Sequence, residues 1–283
     1  MARGPKNWDE ATIARMRLEG RGEGEGRDYK PWIGVHDISS RGRIRRVAGI
    51  KTGREHHLFS DVEWGLFLLL ERARKVVDIR EQYPLERDLT LEIAAMLGIR
   101  HPCYPGTKVP TVMTVDILAT QERDGNRSLV AYNAKRTEEA EDVRSLEKLE
   151  IQRYYFQGME VPHHLVFSSQ LPQNTLRNLE WIRGALPKPG ELEPYPDFLE
   201  ENARRMAADL ASRRSSGSLA EYCSSFDIRY GLPDGTGMRL VRLLMQERVL
   251  MADLENPDLP SAPLSAFFVA DVARQRQYTR MAG

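Results

Sequence analysis

Apolar residues fall at every second position over residues 111–119, the period of a strand, and place Val112, Thr114, Asp116 and Leu118 on one face. Residues 121–128 carry Asp124-Gly125, which is hairpin-turn chemistry. Residues 129–135 read as the return strand, with Leu129, Ala131, Asn133 and Lys135 together on one face. Helical spacing predicts helices over 9–18 (stopping at Gly20), 60–74, 90–97 (ended by Gly98) and 145–157 (before Gly158). Short apolar strands are expected at 75–80 and 163–167, and residues 43–59 read as a hairpin around Lys51-Thr52-Gly53. Helix, antiparallel strands, helix and strand in that order predict a mixed-sheet α/β core.

The run of Gly, Arg and Glu at 20–26 has no strand before it and no Lys-Ser/Thr after it, so it reads as a flexible connector and not as a phosphate cradle. Later in the chain Pro187, Pro189, Gly190, Pro194 and Pro196 mark a linker. Helices follow near 198–212, 219–226 and 237–246, then two short apolar strands at 249–252 and 266–269 around a Pro-rich wing. Three helices and then a β-hairpin is a winged-helix order. Two domains are expected, residues 1–170 and 171–283.

Charge sharpens the picture only through its distribution. Lys+Arg and Asp+Glu balance at 41 each in the 283 residues, so net charge predicts no nucleic-acid partner. Between residues 41 and 54, however, stand six basic residues and no acidic one: Arg41, Arg43, Arg45, Arg46, Lys51 and Arg54. Such a stretch suits phosphate contacts, and equally a solvated hairpin face. Cys103 and Cys223 lack metal-site spacing, the N-terminus has no apolar leader region, and no apolar run is long enough to span a bilayer, so a cytoplasmic protein is expected.

Candidate chemistry lies in Glu63, Asp116 and the tripeptide Asn133-Ala134-Lys135. Asp116 interrupts an apolar strand, where a charge is costly unless it is paired, exposed at a strand end or bound to a cation. Two carboxylates and a lysine on adjacent core elements are what metal-dependent phosphodiester cleavage requires, and the Ala134 carbonyl adds a neutral oxygen. Plain structural explanations stand beside this one. Ser60 and Glu63 have capping-box spacing, with Phe59 and Trp64 placed as a hydrophobic staple, and Asp116 can bridge Lys135 across the hairpin. Against the bridge, the polar Asn133 shares the face of Lys135. The pairs His56-His57 and His163-His164 diverge on strands and form no zinc site. His57 is placed to line the site as a structural or phosphate-contacting residue. No Gly-x-Ser-x-Gly element is present.

With these residues in view, the chain resembles the TnsA family, the endonuclease subunit of heteromeric cut-and-paste transposons. The resemblance rests on Glu19-Gly20-Arg21-Gly22-Glu23-Gly24, Asp28-Tyr29-Lys30-Pro31-Trp32 and Lys51-Thr52-Gly53-Arg54-Glu55-His56-His57-Leu58. It continues through Ser60-Asp61-Val62-Glu63 and the blocks at 78–85, 98–102 and 146–150, in order and with similar spacing. It implies a restriction-endonuclease-like domain over 1–170, a winged-helix-like domain over 171–283, and Mg²⁺-dependent cutting, with Mn²⁺ able to substitute, at the 5′ ends of the element. The family's acidic pair falls on Glu63 and Asp116 and its lysine on Lys135. The metal ligands implied are Glu63, Asp116, the Ala134 carbonyl and Asn133, where the family usually has Gln. The partners implied are double-stranded DNA at transposon ends, a DDE-type (TnsB-like) transposase and an AAA+ (TnsC-like) regulator. The residues of the basic stretch, together with His57, are the expected DNA contacts. A second class of function stays open: a non-catalytic adaptor that keeps a degenerate nuclease core as scaffold.

Overall fold

The computed structural model of the chain describes residues 8–37, 43–212 and 217–270. It divides into two compact units, Met1–Leu171 and Pro172–Gly283. In the first unit, α1 (Glu10–Leu18) is capped by Asp9, whose carboxylate accepts from Thr12 N–H at 2.7 Å. β1 (Arg45–Ala48) and β2 (Glu55–Leu58) form the expected antiparallel hairpin. α2 (Asp61–Arg72) follows directly, with Ser60 Oγ accepting from Glu63 N–H at 3.1 Å at its start. It buries Val62, Leu66, Phe67 and Leu70, whose spacing turns one stripe toward the sheet.

The core sheet has the order β3 (Val76–Pro84), β4 (Thr114–Arg123), β5 (Asn126–Lys135), β6 (His163–Phe167). The β3–β4 and β4–β5 pairs are antiparallel, whereas β6 is parallel to β5, so the sheet is mixed as the element order predicts. The β4–β5 turn is Asp124-Gly125, both with positive φ (52° and 77°), the backbone a tight hairpin of this twist demands. α3 (Arg87–Met96) and α4 (Val143–Gly158) pack together, α4 being the crossover that a parallel strand pair needs. Ile93 and Ala94 from α3, Ile151, Tyr155 and Phe156 from α4, and Val115, Leu118 and Ala131 from the sheet make one buried cluster.

The Gly-rich run at 20–26 is not a flexible connector. Gly22 N–H donates to the Lys30 carbonyl at 2.6 Å and Lys30 N–H to the Glu23 carbonyl at 3.2 Å. A Cβ on Gly22 would collide with the Pro84 ring, and one on Gly24 would lie 2.7 Å from the Asp28 carbonyl oxygen. Close approach, and not looseness, is what these glycines serve.

A buried ionic network, invisible to periodicity, ties the β1–β2 hairpin to edge strand β3. Glu81 is fully buried. Its carboxylate accepts from Arg54 Nη1 at 2.8 Å and Nη2 at 2.5 Å, and from His57 N–H at 3.1 Å, and it lies 2.7 Å from His56 Nδ1. His56 Nε2 lies 2.7 Å from Thr52 Oγ1, and Arg54 stacks over Tyr29. Burial by itself raises the Glu81 pKa, but Arg54 and His56 outweigh it and hold it down to about 2. Arg54 is therefore not a phosphate contact: its side chain is 7% exposed and spent on Glu81. Lys51 is also turned inward, donating to the Ala73 carbonyl at 2.8 Å just past the end of α2.

The second unit opens with a helix that the sequence reading lacked, α5 (Gln173–Arg183), so the Pro-rich linker lies inside this unit and not at its edge. Asn178 of α5 is buried and donates to the Leu254 and Asn256 carbonyls at 2.8 and 2.7 Å. α6 (Phe198–Ser212), α7 (Leu219–Tyr230) and α8 (Thr236–Gln246) follow, then the short antiparallel pair β7 (Leu250–Met251) and β8 (Phe268–Val269). Met206, Leu219, Phe226, Leu240 and Leu244 lie at the centre of its core. Buried Asp227 accepts from Gly235 and Gly237 N–H at 2.9 and 2.6 Å and so sets the α7–α8 turn. Among the described residues no helix is long and apolar enough to cross a membrane.

Replacing Arg54 with Ala removes the guanidinium from a buried carboxylate, leaving it only His56 and the His57 N–H, and should cost about 3–5 kcal/mol of stability, read as a lowered melting temperature. Glu81 has a folded pKa below its ordinary 4.5, so its contribution is present above pH 4.5 and is lost as pH falls toward about 2. Acid titration of the wild type should show that limb, and the Arg54→Ala chain should show it flattened.

Candidate active site

Asp116 and Lys135 stand where the β4–β5 ladder stops. Paired positions run from Arg123↔Asn126 to Ile117↔Tyr132. One residue further on, the Asp116 carboxylate takes the place of a ladder carbonyl, accepting from Ala134 N–H at 2.8 Å. In a strand the N–H and C=O of one residue face the same edge, so the Ala134 carbonyl is on this side too. Lys135 Nζ lies 4.0 Å from the same Asp116 oxygen, with the lysine side chain 27% and the aspartate side chain 14% exposed. Asp116 chiefly, then Glu139 and Glu63, raise the Lys135 pKa against partial burial. Lys135 is therefore held in its cationic form.

Glu63 is supplied by the first turn of α2 and is buried. Its Oε1 accepts from Ser60 Oγ at 3.1 Å and its Oε2 from Phe59 N–H at 2.9 Å, one residue before the cap position that a capping box uses. Burial, and next the charge of Asp116, push the Glu63 pKa up to about 8. The Asp116 charge thus opposes ionisation of Glu63 in a desolvated place. A divalent cation would relieve that conflict, and a donor set of two carboxylates plus a backbone carbonyl suits Mg²⁺, which keeps several waters. Among the described residues no group of three or more His, Cys, Asp or Glu is placed to hold a metal ion.

Asn133 is buried, and its Oδ1 lies 2.6 Å from Nε2 of His163 on β6. Burial, and then His164, hold the His163 pKa down to about 4, so the ring is neutral. Because a carboxamide oxygen only accepts, Nε2 carries the proton. The NH₂ end of Asn133 is what remains for other partners.

A cavity of about 750 Å³ opens beside these residues, lined in part by Asp116, Asn133, Lys135, Lys148 and Gln152. Gln152 of α4 is buried; its Nε2 donates to the Thr114 carbonyl at 2.8 Å, and its Oε1 has no hydrogen-bond partner among the described residues. The sequence reading missed Gln152 and Lys148. Their one signal was position on the face of the helix that follows the Lys135 strand.

The expected DNA contacts scatter. Arg41 lies outside the described residues. Arg43 and Arg46 are exposed. Arg45 donates to Asp61 Oδ1 at 2.7 Å and lies over the Trp64 ring. His57 Nε2 is 3.3 Å from Glu55. With Lys51 and Arg54 turned inward, the basic stretch is not one continuous phosphate-facing surface.

Residues 73–168 match the family model described as TnsA-like endonuclease N terminal, and residues 170–254 match that of the TnsA endonuclease C terminal. The chain is 35% identical over 250 residues to the Transposon Tn7 transposition protein TnsA of Escherichia coli, covering 86% of each chain. The chain belongs to the TnsA endonuclease family. It is accordingly an endonuclease subunit of a transposase. The N-terminal TnsA match includes Asp116 and Lys135 and begins after Glu63. The two TnsA matches meet between residues 168 and 170, beside the boundary between the compact units at Leu171 and Pro172.

Glu63 has a folded pKa of about 8 against an ordinary 4.5, so its effect is to weaken the metal-free fold as pH rises from 4.5 to about 8. Glu63→Gln removes the charge and keeps one acceptor oxygen. The metal-free variant should gain on wild type across that window, by up to about 1.4 kcal/mol per pH unit, in melting curves taken from pH 5 to 9. A gap that stays constant with pH would show that Glu63 titrates normally.

Proposed function

We propose that this transposase endonuclease subunit is Mg²⁺-dependent and hydrolyses the strand at the 5′ ends of its element during cut-and-paste transposition. The observation that carries the reading is the pair Glu63 and Asp116, whose charges conflict, next to a lysine held as a cation. Glu63, Asp116 and the Ala134 carbonyl would hold Mg²⁺ (or Mn²⁺), which would supply Lewis-acid activation of water and neutralise phosphate charge. Asp116 is fixed for this by its bond to Ala134 N–H, and Glu63 by the α2 cap. Lys135 contributes positive charge beside the phosphorus as negative charge builds there. Asn133 acts as a donor toward the cavity, its oxygen being spent on His163. Water adds to phosphorus, the bond from phosphorus to the 3′ oxygen breaks, and 5′-phosphate and 3′-hydroxyl ends result.

Partners in this reading are duplex DNA at transposon ends, a DDE-type transposase that cuts and joins the other strand, and an AAA+ regulator, acting in the cytoplasm. An adaptor with a degenerate core would gain from Asp116 closing on Lys135. Asp116 and Lys135 do form an ion pair, at 4.0 Å, but it is longer than the 2.8 Å bond from Asp116 to Ala134 N–H.

Strand-resolved cleavage at transposon ends, with the full transposase present, tests the reading. Asp116→Ala should abolish 5′-end cutting while the complex still assembles. Lys135→Ala should lower the rate roughly 10²–10³-fold. Unaltered cutting by the Asp116 variant would remove the site assignment, and cutting that persists in chelator would remove the metal.

A further inference from the structure

A second cavity of about 610 Å³ adjoins the first, and residues 102–105 and Lys148 line both. Its cations are Arg100 and Arg144, with His101 nearby and Lys148 at the junction. On α4, Arg144, Lys148 and Gln152 recur every four residues, so they form a stripe on one helix face about 12 Å long.

The anions that act on this stripe are Glu147, paired with Arg144, and Asp142, whose charge opposes the lowering of the Lys148 pKa without reversing it. Partial burial, and then the charges of Arg144 and Lys135, depress the Lys148 pKa, so three cations lie within reach of one another. Burial, and beyond it Arg144 and Arg87, likewise depress His101. The carboxylates in the walls are already engaged: Glu147 pairs with Arg144 at 2.5 Å, and Asp37 with Arg21 at 2.5 Å. Arg100 is exposed. A row of cations leading out of a nuclease site fits the polyanionic backbone of the substrate, whose phosphates release counterions when neutralised.

We propose that the DNA strand entering the carboxylate site runs along this groove, its backbone phosphates contacted by Lys148 and then by Arg144 and Arg100, making this groove and not the 41–54 hairpin the main phosphate track. The proposal rests on the nuclease reading above and adds the path of the substrate to it. Contacts of this kind position the strand without reading its sequence.

The test is 5′-end cleavage by the full chain in the assembled transposase reaction, titrated with KCl. The Arg100→Gln/Lys148→Gln chain should cut roughly tenfold less or worse at physiological salt, recover at low salt, and show a salt slope shallower by about 2. The charge-keeping Arg100→Lys/Lys148→Arg chain should retain the wild-type slope, and Arg43→Gln/Arg46→Gln should change it little. Arg100→Gln alone, at an exposed position, gives the same readout with a slope change of about 1 should the double variant not fold. A wild-type slope in the Gln variants, or the whole loss appearing in the Arg43/Arg46 pair, overturns the track. Cutting by Asp116→Ala would instead overturn the nuclease reading, so the two failures are distinguishable.

Discussion

The buried charge of Glu81 is the constraint around which the first unit is organised. A carboxylate without solvent requires compensation on every lone pair, and Arg54, His56 and the His57 N–H supply it from a single hairpin. This ties β2 to β3, strands of two different sheets. Two residues past His57 the chain reaches Phe59, whose N–H holds Glu63, and then the Ser60 cap that starts α2. The aim of the first active-site carboxylate is thus inherited from a structural ion pair in another part of the sheet.

The site itself is assembled by interrupting regular structure. Where the β4–β5 ladder ends, a side-chain carboxylate replaces a backbone acceptor, so Asp116 is held without being neutralised. Burial of Glu63 beside it creates a charge conflict that raises the Glu63 pKa and that a divalent cation would relieve. Lys135 moderates the conflict without ending it, because it stays 4.0 Å from Asp116. Function and stability pull against each other here.

Much of this was legible in the chain. Alternation placed β4 and β5 and put Asp116 and Lys135 on neighbouring strands, and the Asp-Gly turn announced its own backbone. The residues that form β6 were read to the exact bounds His163–Phe167, because a short apolar run is bounded there by turn residues. β3 was read too short: its second half, Glu81-Gln82-Tyr83-Pro84, is polar in sequence and buried or half-buried in the fold. α5 was missed because its apolar stripe is diluted by Asn and Arg, whose partners lie some 80 residues away in sequence.

Local sequence alone determined most of the elements, the hairpins and the Ser60 cap, since each depends on periodicity or on residues a few positions apart. Only the tertiary structure decided which cations face solvent. Arg54 and Lys51 look like their neighbours Arg43 and Arg46 in the chain, yet they are consumed by Glu81 and by the carbonyl just past α2. The same holds for Asn133, whose oxygen is claimed by His163 across the sheet, and for Lys148, which the α4 crossover carries to the cavity beside Asp116. A charge reveals its role only through its nearest counter-charge, and that neighbour is set by folding, not by sequence distance.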